Sequence, residues 1–183
     1  MNTLTIGGLP GTGTSTLCKL LQQRTDLDYT YAGQIFRDAA KARGMDLAAF
    51  GALCQEDPSV DQALDDQQLA LLRGGDLILE GRLSGWLAAR HDVPALKVWI
   101  TCGQDERLRR ITERDGGDVD AQRAKTLERE ASEADRYRRY YGADLNDLSI
   151  YDLVLDSTEM TPEQLADAVL AVKESLEQPG EVA

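Results

Sequence analysis

One stretch near the start of the chain restricts its fold more than any other. Thr3–Gly7 (TLTIG) is a short apolar run that passes straight into Gly7-Gly8-Leu9-Pro10-Gly11-Thr12-Gly13-Thr14-Ser15-Thr16. Beyond it Leu17, Leu20 and Leu21 recur at helical spacing. A strand, a glycine-rich turn and a helix in succession make an anion site. Glycines let backbone N–H groups turn inward, and the helix N-terminus adds partial positive charge. The spacing matches G-x-x-x-x-G-K-S/T at Gly8, Gly13 and Ser15, but Thr14 stands at the lysine position. Losing that lysine removes a charge-assisted contact worth about 1.5–3 kcal/mol. Lys19, more than a turn into the helix, is expected to fall short of the loop. Arginines from elsewhere must then supply the charge. The bland alternative is a tight Gly-Pro turn with no ligand.

Four further segments read as strands: Asp28–Tyr31, Asp76–Glu80, Leu96–Thr101 and Asp152–Asp156. All but Asp28–Tyr31 are, like the first, near-continuous apolar runs, as expected of strands covered on both faces. Helical patterns separate them. Leu108 and Ile111 mark one helix. Thr161-Pro162-Glu163-Gln164 starts another, with Thr161 as cap, Pro162 in the first helical position and Gln164 closing a capping box. Strands alternating with helices predict a three-layer α/β fold on a parallel five-stranded sheet. Two stretches break the alternation: a helical insert over 35–72 and a polar, charge-dense one over 115–141. These divide a single domain into a core of 1–34, 73–114 and 142–183 and two candidate moving lobes. The tail Gln178–Ala183 reads as frayed.

Composition narrows the partners. With 32 acids against 20 Lys and Arg, the net charge is −12. That disfavours broad contact with nucleic acid polymers or anionic membranes, which needs a basic surface. No apolar run reaches the length of a membrane helix, and the first residues carry no signal-peptide pattern; a cytoplasmic monomer is expected. Cys18, Cys54 and Cys102 lack zinc spacing and read as reduced structural thiols. The lone His91 reads as a helix end before a strand.

The arginines cluster where a phosphate site would want them. Glu80-Gly81-Arg82 ends the third strand, and the carboxyl ends of parallel strands surround the crevice in this architecture. Glu80 is an acid at the end of an apolar strand, where it could hold a magnesium-bound water as the Walker B acid does; a buried Glu80–Arg82 ion pair is the alternative. Ser15 occupies the place of the magnesium-ligating hydroxyl. Ten of the 20 basic residues lie in Asp105–Tyr140, with ten acids beside them. Arg107, Arg110 and Arg114 share one helix face, as do Arg129 and Arg136 with Glu133 between. They read either as a solvated helix pair or, beside a loop without its lysine, as a lid that closes on a phosphoryl group.

The sequence resembles the archaeal-type (type 2) cytidylate kinases, members of the P-loop nucleoside monophosphate kinase fold. The stretches that carry the resemblance are GGLPGTGTSTL (7–17), YAGQIFR (31–37), RGMDLAAFG (43–51), EDPSVDQALDDQQ (56–68), LILEGRLSGW (77–86) and EREASEADRYRRYYGADLNDLSIYDLVLDS (128–157). They run in order along almost the whole chain. The resemblance implies transfer of a phosphoryl group from ATP-Mg to CMP or dCMP. It implies that Gly7–Thr16 hold the donor phosphates, that Ser15 ligates Mg2+, and that Arg37 and Arg82, beside Gly81, grip the CMP phosphate. It makes 35–72 the monophosphate-binding lobe and 115–141 the lid, with Arg110, Arg114, Arg129 and Arg136 as phosphate-facing candidates. Arg129-Glu130, Glu133 and Arg136 resemble the R-D-x-x-D-x-x-R pattern of related enzymes.

Two departures stand out. Thr14 replaces the usual lysine, and Asp66 stands where a basic residue is expected. Nothing in the residues themselves identifies cytosine. Asp57, Asp61 and Asp65 read either as acceptors for its amino group or as solvated helix residues. Other acceptors of the same fold (AMP, UMP, dTMP, shikimate) and a nucleotide-binding regulatory or assembly protein are the alternatives.

Overall fold

A computed structural model describes residues 2–177; the tail 178–183 lies outside the described residues. The strands are β1 (Thr3–Gly8), β2 (Asp28–Tyr31), β3 (Leu77–Glu80), β4 (Leu96–Thr101) and β5 (Leu153–Asp156). They pair in parallel in the order β2-β3-β1-β4-β5. The helices are α1 (Thr14–Arg24), α2 (Ala32–Ala42), α3 (Leu47–Glu56), α4 (Pro58–Gly74), α5 (Ser84–Arg90), α6 (Gln104–Asp115), α7 (Val119–Tyr141) and α8 (Pro162–Glu177).

β1 sits at the centre because its side chains are buried on both sides. Leu4 and Ile6 point to one face and meet Leu17, Cys18 and Leu21 of α1 and Leu165, Ala166 and Val169 of α8. Truncating one such leucine to alanine costs about 2–5 kcal/mol. On the opposite face Leu77 and Leu79 of β3 meet Leu72 of α4 and Leu87 and Ala88 of α5. The expected three layers are therefore present.

β5 departs from the expectation for apolar runs. Its burial alternates, and Val154 is 41% exposed. The cause is topological: β5 is the outer strand beside β4, and only Leu153 and Leu155 reach the core. The strand starts of the other elements agree with the sequence pattern to within a residue.

Local chemistry sets the helix ends. Thr161 Oγ1 accepts from Gln164 N at 3.2 Å while Gln164 Oε1 accepts from Thr161 N at 2.9 Å, a complete capping box. Asp57 caps α4, with Pro58 in its first turn. Asp118 caps α7, accepting from Ala121 N. Between α6 and α7 the chain turns a corner on Gly116 and Gly117, both at positive φ. The stretch 35–72 is held in α2, α3 and α4, with its own small core of Ala40, Phe50, Cys54 and Val60. His91 ends α5, donating its N–H to Leu87 O.

Candidate active site

The order of the sheet puts the ends of β1 and β3 side by side, with Ile6 opposite Glu80 and Gly81 N donating to Ile6 O at 3.0 Å. A cleft of about 1380 Å³ opens there. Two segments leave the sheet into it: the glycine loop after β1 and Gly81-Arg82 after β3.

The loop is closed by Leu9 O, which accepts from Thr12 N at 3.2 Å and from Thr12 Oγ1 at 2.9 Å. A Cβ on Gly8 would lie 2.6 Å from Thr12 Oγ1 and 2.8 Å from Ile100 O, so only glycine fits there. Gly13 begins α1 at φ 88° and brings no side-chain cap. The first N–H groups of α1 are thus free for an anion. Gly8, Leu9, Pro10, Gly11, Gly13, Thr14, Ser15 and Thr16 line the cleft. Gly7 and Thr12 do not: Gly7 backs onto the Trp99 ring and Thr12 is buried inside the loop. Lys19, expected to fall short, lines the cleft as well, because the cleft extends along the exposed side of α1.

Glu80 organises the floor. It is 5% exposed, and its Oε1 accepts from both Thr14 Oγ1 and Ser15 Oγ at 2.7 Å. The Tyr29 hydroxyl donates to Oε2. A buried carboxylate is costly unless hydrogen-bonded, and three hydroxyl donors meet that need. Burial, then the contact with Glu80, pushes the Tyr29 phenol up, which keeps it a proton donor. Thr14 therefore spends its hydroxyl on Glu80. The Glu80–Arg82 pair considered from the sequence does not form; Arg82 turns to Glu133 of α7, with Nη1 2.6 Å from Oε2.

Arg37, Arg82, Arg110, Arg114, Arg129 and Arg136 all line the cleft. Acids and aromatic rings hold them. Arg129 Nε donates to Glu133 Oε1 at 3.0 Å. Arg110 is fixed by Glu106 at 2.8 Å and by Ser157 O at 2.8 Å. Arg114 pairs with Asp115 at 2.7 Å. Arg136 lies over the Tyr137 ring, 3.6 Å from Asp61 Oδ1. Arg37 lies over the Tyr31 ring. Arg107 shares a helix face with Arg110 and Arg114 but is buried behind the loop, outside the cleft wall.

The three aspartates separate. Asp61 and Asp65 are buried on α4 and line the cleft, and each has an Oδ2 with no hydrogen-bond partner. Burial pushes the Asp65 carboxyl up to about 6, against the hydrogen bond of Tyr141. Asp57 stays outside the cleft: its Oδ1 accepts from Ser59 N at 3.0 Å, as a helix cap must. Asp66 is exposed and accepts from Gln62 Nε2.

A family model described as an AAA domain (AAA_18) matches residues 4–138. A cytidylate kinase of Methanococcoides burtonii is 47% identical over 156 residues, covering 85% of this chain and 87% of that protein. Another, from Methanospirillum hungatei, is 45% identical over 176 residues, covering 95% and 97%. The chain belongs to the cytidylate kinase family. It is a phosphotransferase of the nucleoside monophosphate kinase type. Its fold also matches shikimate kinase from Bacteroides thetaiotaomicron, with a TM-score of 0.60 at 13% identity over 96% of this chain and 98% of that one.

Three features of the site have no signal in the local pattern of residues. Tyr29 reaches Glu80 from β2, a strand too short and mixed to flag it. Glu133 stands in the sequence between two arginines and in the R-D-x-x-D-x-x-R-like pattern, but neither signals that it joins Arg82 to Arg129. Tyr141, at the end of α7, sits against Asp65 across the cleft. Each is a contact between distant segments, with no local signal.

Proposed function

We propose that the protein transfers the γ-phosphoryl group of ATP-Mg to CMP or dCMP, giving ADP and CDP or dCDP. The observation that carries this reading is the junction at Glu80: one acid binds the hydroxyls of Thr14 and Ser15 at the end of the glycine loop, and Arg82 follows it by two residues into the same cleft. A donor site and an acceptor-phosphate site thereby share one wall. The names of the relatives supply the acceptor base.

In this reading the loop between Gly8 and Thr16 cradles the donor phosphates through its N–H groups, except at Pro10, which has none, and Thr12, whose N–H goes to Leu9 O. Ser15 and Glu80 hold the metal: a hydroxyl and a carboxylate 2.7 Å apart are hard oxygen donors of the kind Mg2+ takes. Held there, magnesium would supply positive charge to offset the charge that develops on the donor phosphates. Arg37 and Arg82 grip the acceptor phosphate. Asp61 and Asp65 offer buried acceptors to an exocyclic amino group. Residues 35–72 form the acceptor lobe and 115–141 the lid, and closure brings Arg129 and Arg136 onto the transferring group beside Arg110 and Arg114 of the core while excluding water. Positioning and charge neutralisation do most of the work in such a transfer, so arginines from three segments compensate for Thr14. The protein acts as a cytoplasmic monomer.

The test is ADP formation from ATP-Mg with CMP, dCMP, UMP, AMP, dTMP, shikimate or no acceptor. Turnover with CMP and dCMP well above the others is expected. A different preferred acceptor overturns the base assignment. ADP no higher than the control without acceptor overturns the kinase reading in favour of a nucleotide-binding switch.

A further inference from the structure

Behind the glycine loop lies a buried arginine that the reading above does not use. Arg107, in the first turns of α6, is 4% exposed. Its Nη1 donates to Pro10 O at 2.9 Å and to Glu130 Oε1 at 2.5 Å, and Nη2 donates to Glu130 Oε2 at 3.4 Å. Glu130 belongs to α7. The main chain of Arg107 also presses on the loop: a Cβ on Gly11 would lie 2.6 Å from Arg107 O and 3.0 Å from its Cα. One residue thus touches the loop, through backbone and side chain, and the lid helix.

The contact falls on the peptide bond that matters. In a trans peptide the C=O and the N–H point in opposite directions. Anchoring Pro10 O on Arg107, behind the loop, turns the Gly11 N–H toward the cleft. Gly11 stands at φ 85°, where glycine is at ease. Among the described residues its N–H has no hydrogen-bond acceptor, whereas Thr12 N is already given to Leu9 O. Pro10 has no N–H to offer. Gly11 N–H is therefore a donor this part of the loop holds ready for phosphate, and nothing but Arg107 fixes the carbonyl on its other side. In a loop without lysine, such backbone donors carry a larger share of donor binding.

We propose that Arg107 is the positioning residue that holds the Pro10–Gly11 peptide for the donor phosphates, and that Glu130 links that peptide to the position of α7. The proposal rests on the kinase reading. It makes donor affinity, and not acceptor affinity, sensitive to a side chain that touches neither nucleotide.

Calorimetric binding of ATP-Mg and, separately, of CMP tests it on the full chain, with steady-state KM and kcat alongside. Arg107→Met keeps the length and apolar stem while removing the donors. The expected result is an ATP-Mg Kd raised about tenfold or more, with the CMP Kd within about twofold of the wild type, and partial recovery in Arg107→Lys, which still donates to Pro10 O. Glu130→Gln should raise the ATP-Mg Kd less, and the double variant with Arg107→Met should be no worse than Arg107→Met alone, since Glu130 acts through Arg107. An ATP-Mg Kd unchanged in Arg107→Met, or equal losses for both nucleotides, overturns the proposal. Should Arg107→Met not fold, Glu130→Gln decides, and a wild-type ATP-Mg Kd there overturns it. A wild-type chain that binds no ATP-Mg overturns the kinase reading itself.

Discussion

Arg82, two residues past the end of β3, is clasped by Glu133 of α7: Nη1 lies 2.6 Å from Oε2, and Nη2 donates to Oε1 at 2.9 Å. The two are 51 residues apart in the chain. A carboxylate gripped at two points occupies the position that a phosphate would take on the same guanidinium. On the proposed reading, an acceptor phosphate at Arg82 would exchange one anion for another, with a net gain smaller than the gross contact suggests.

Removing Arg82 should weaken the acceptor alone. Arg82→Met is expected to raise the KM for CMP by about 10- to 150-fold, the equivalent of a charge-assisted hydrogen bond of about 1.5–3 kcal/mol. The KM for ATP should stay near its original value. Glu133→Gln, with the internal competitor neutralised, should lower the KM for CMP. Steady-state kinetics with each nucleotide varied in turn checks both.

The lid arginines should act on turnover. Arg129, held by Glu133, has a side chain 58% exposed, so its loss leaves the core untouched; Arg136 is 26% exposed, and its loss unpairs Asp61 at the cleft wall. Arg129→Ala and Arg136→Ala should each lower kcat by about tenfold or more with an unchanged circular dichroism spectrum. Full turnover in both single variants and in the double one would sink their assignment to the transferring group.

Thr14 offers a sharper case, because its hydroxyl is already committed to Glu80 Oε1 at 2.7 Å. Thr14→Val keeps the shape and deletes that bond. It should cost about 0.5–1.5 kcal/mol of stability in denaturant titration. The KM for ATP should move by less than about threefold, since Ser15 and the backbone remain. A large rise in that KM would mean that Thr14 contacts the donor directly.

Asp65 should leave a mark on the pH dependence of stability. Burial raises its carboxyl from an ordinary 3.8 to about 6 in the folded protein. Between those values the folded state holds more protons at this site than the unfolded state, so stability falls as pH rises through the window. The favourable contribution is complete below about pH 4 and gone above about pH 6. Asp65→Asn should therefore be more stable than the wild type at pH 7, with the difference shrinking toward pH 4. Denaturation midpoints of the two proteins across that range measure it. A constant difference would show that Asp65 titrates normally.

Much of the fold was legible because its signals are local. The glycine spacing at Gly8 and Gly13, the apolar run before it and the capping box at Thr161 each declare themselves within ten residues. So did the arginines at the strand ends, since parallel strands send their C-termini to one side. What escaped detection depends on distance. Val154 reads as buried from its neighbours, and only the position of β5 at the sheet edge exposes it. Arg107, Arg110 and Arg114 share a face, yet the first lies under the loop and the others along the cleft, a division set by how α6 sits against residues 10 and 11. Asp57 differs from Asp61 and Asp65 because the helix begins at Pro58, which turns the first of the three into a cap.

Adjacent strands in a sheet are held about 4.8 Å apart by their hydrogen bonds, and here β1 and β3 are such neighbours, with Ile6 opposite Glu80. The interval from the glycine loop to Arg82 is thus ruled off by the sheet itself. The backbone spacing is set without α2 or α3, and Glu133 of α7 then fixes where the Arg82 guanidinium points. The sheet thus sets the gauge between the two segments, and the outer helices decide only where the side chains at its ends point.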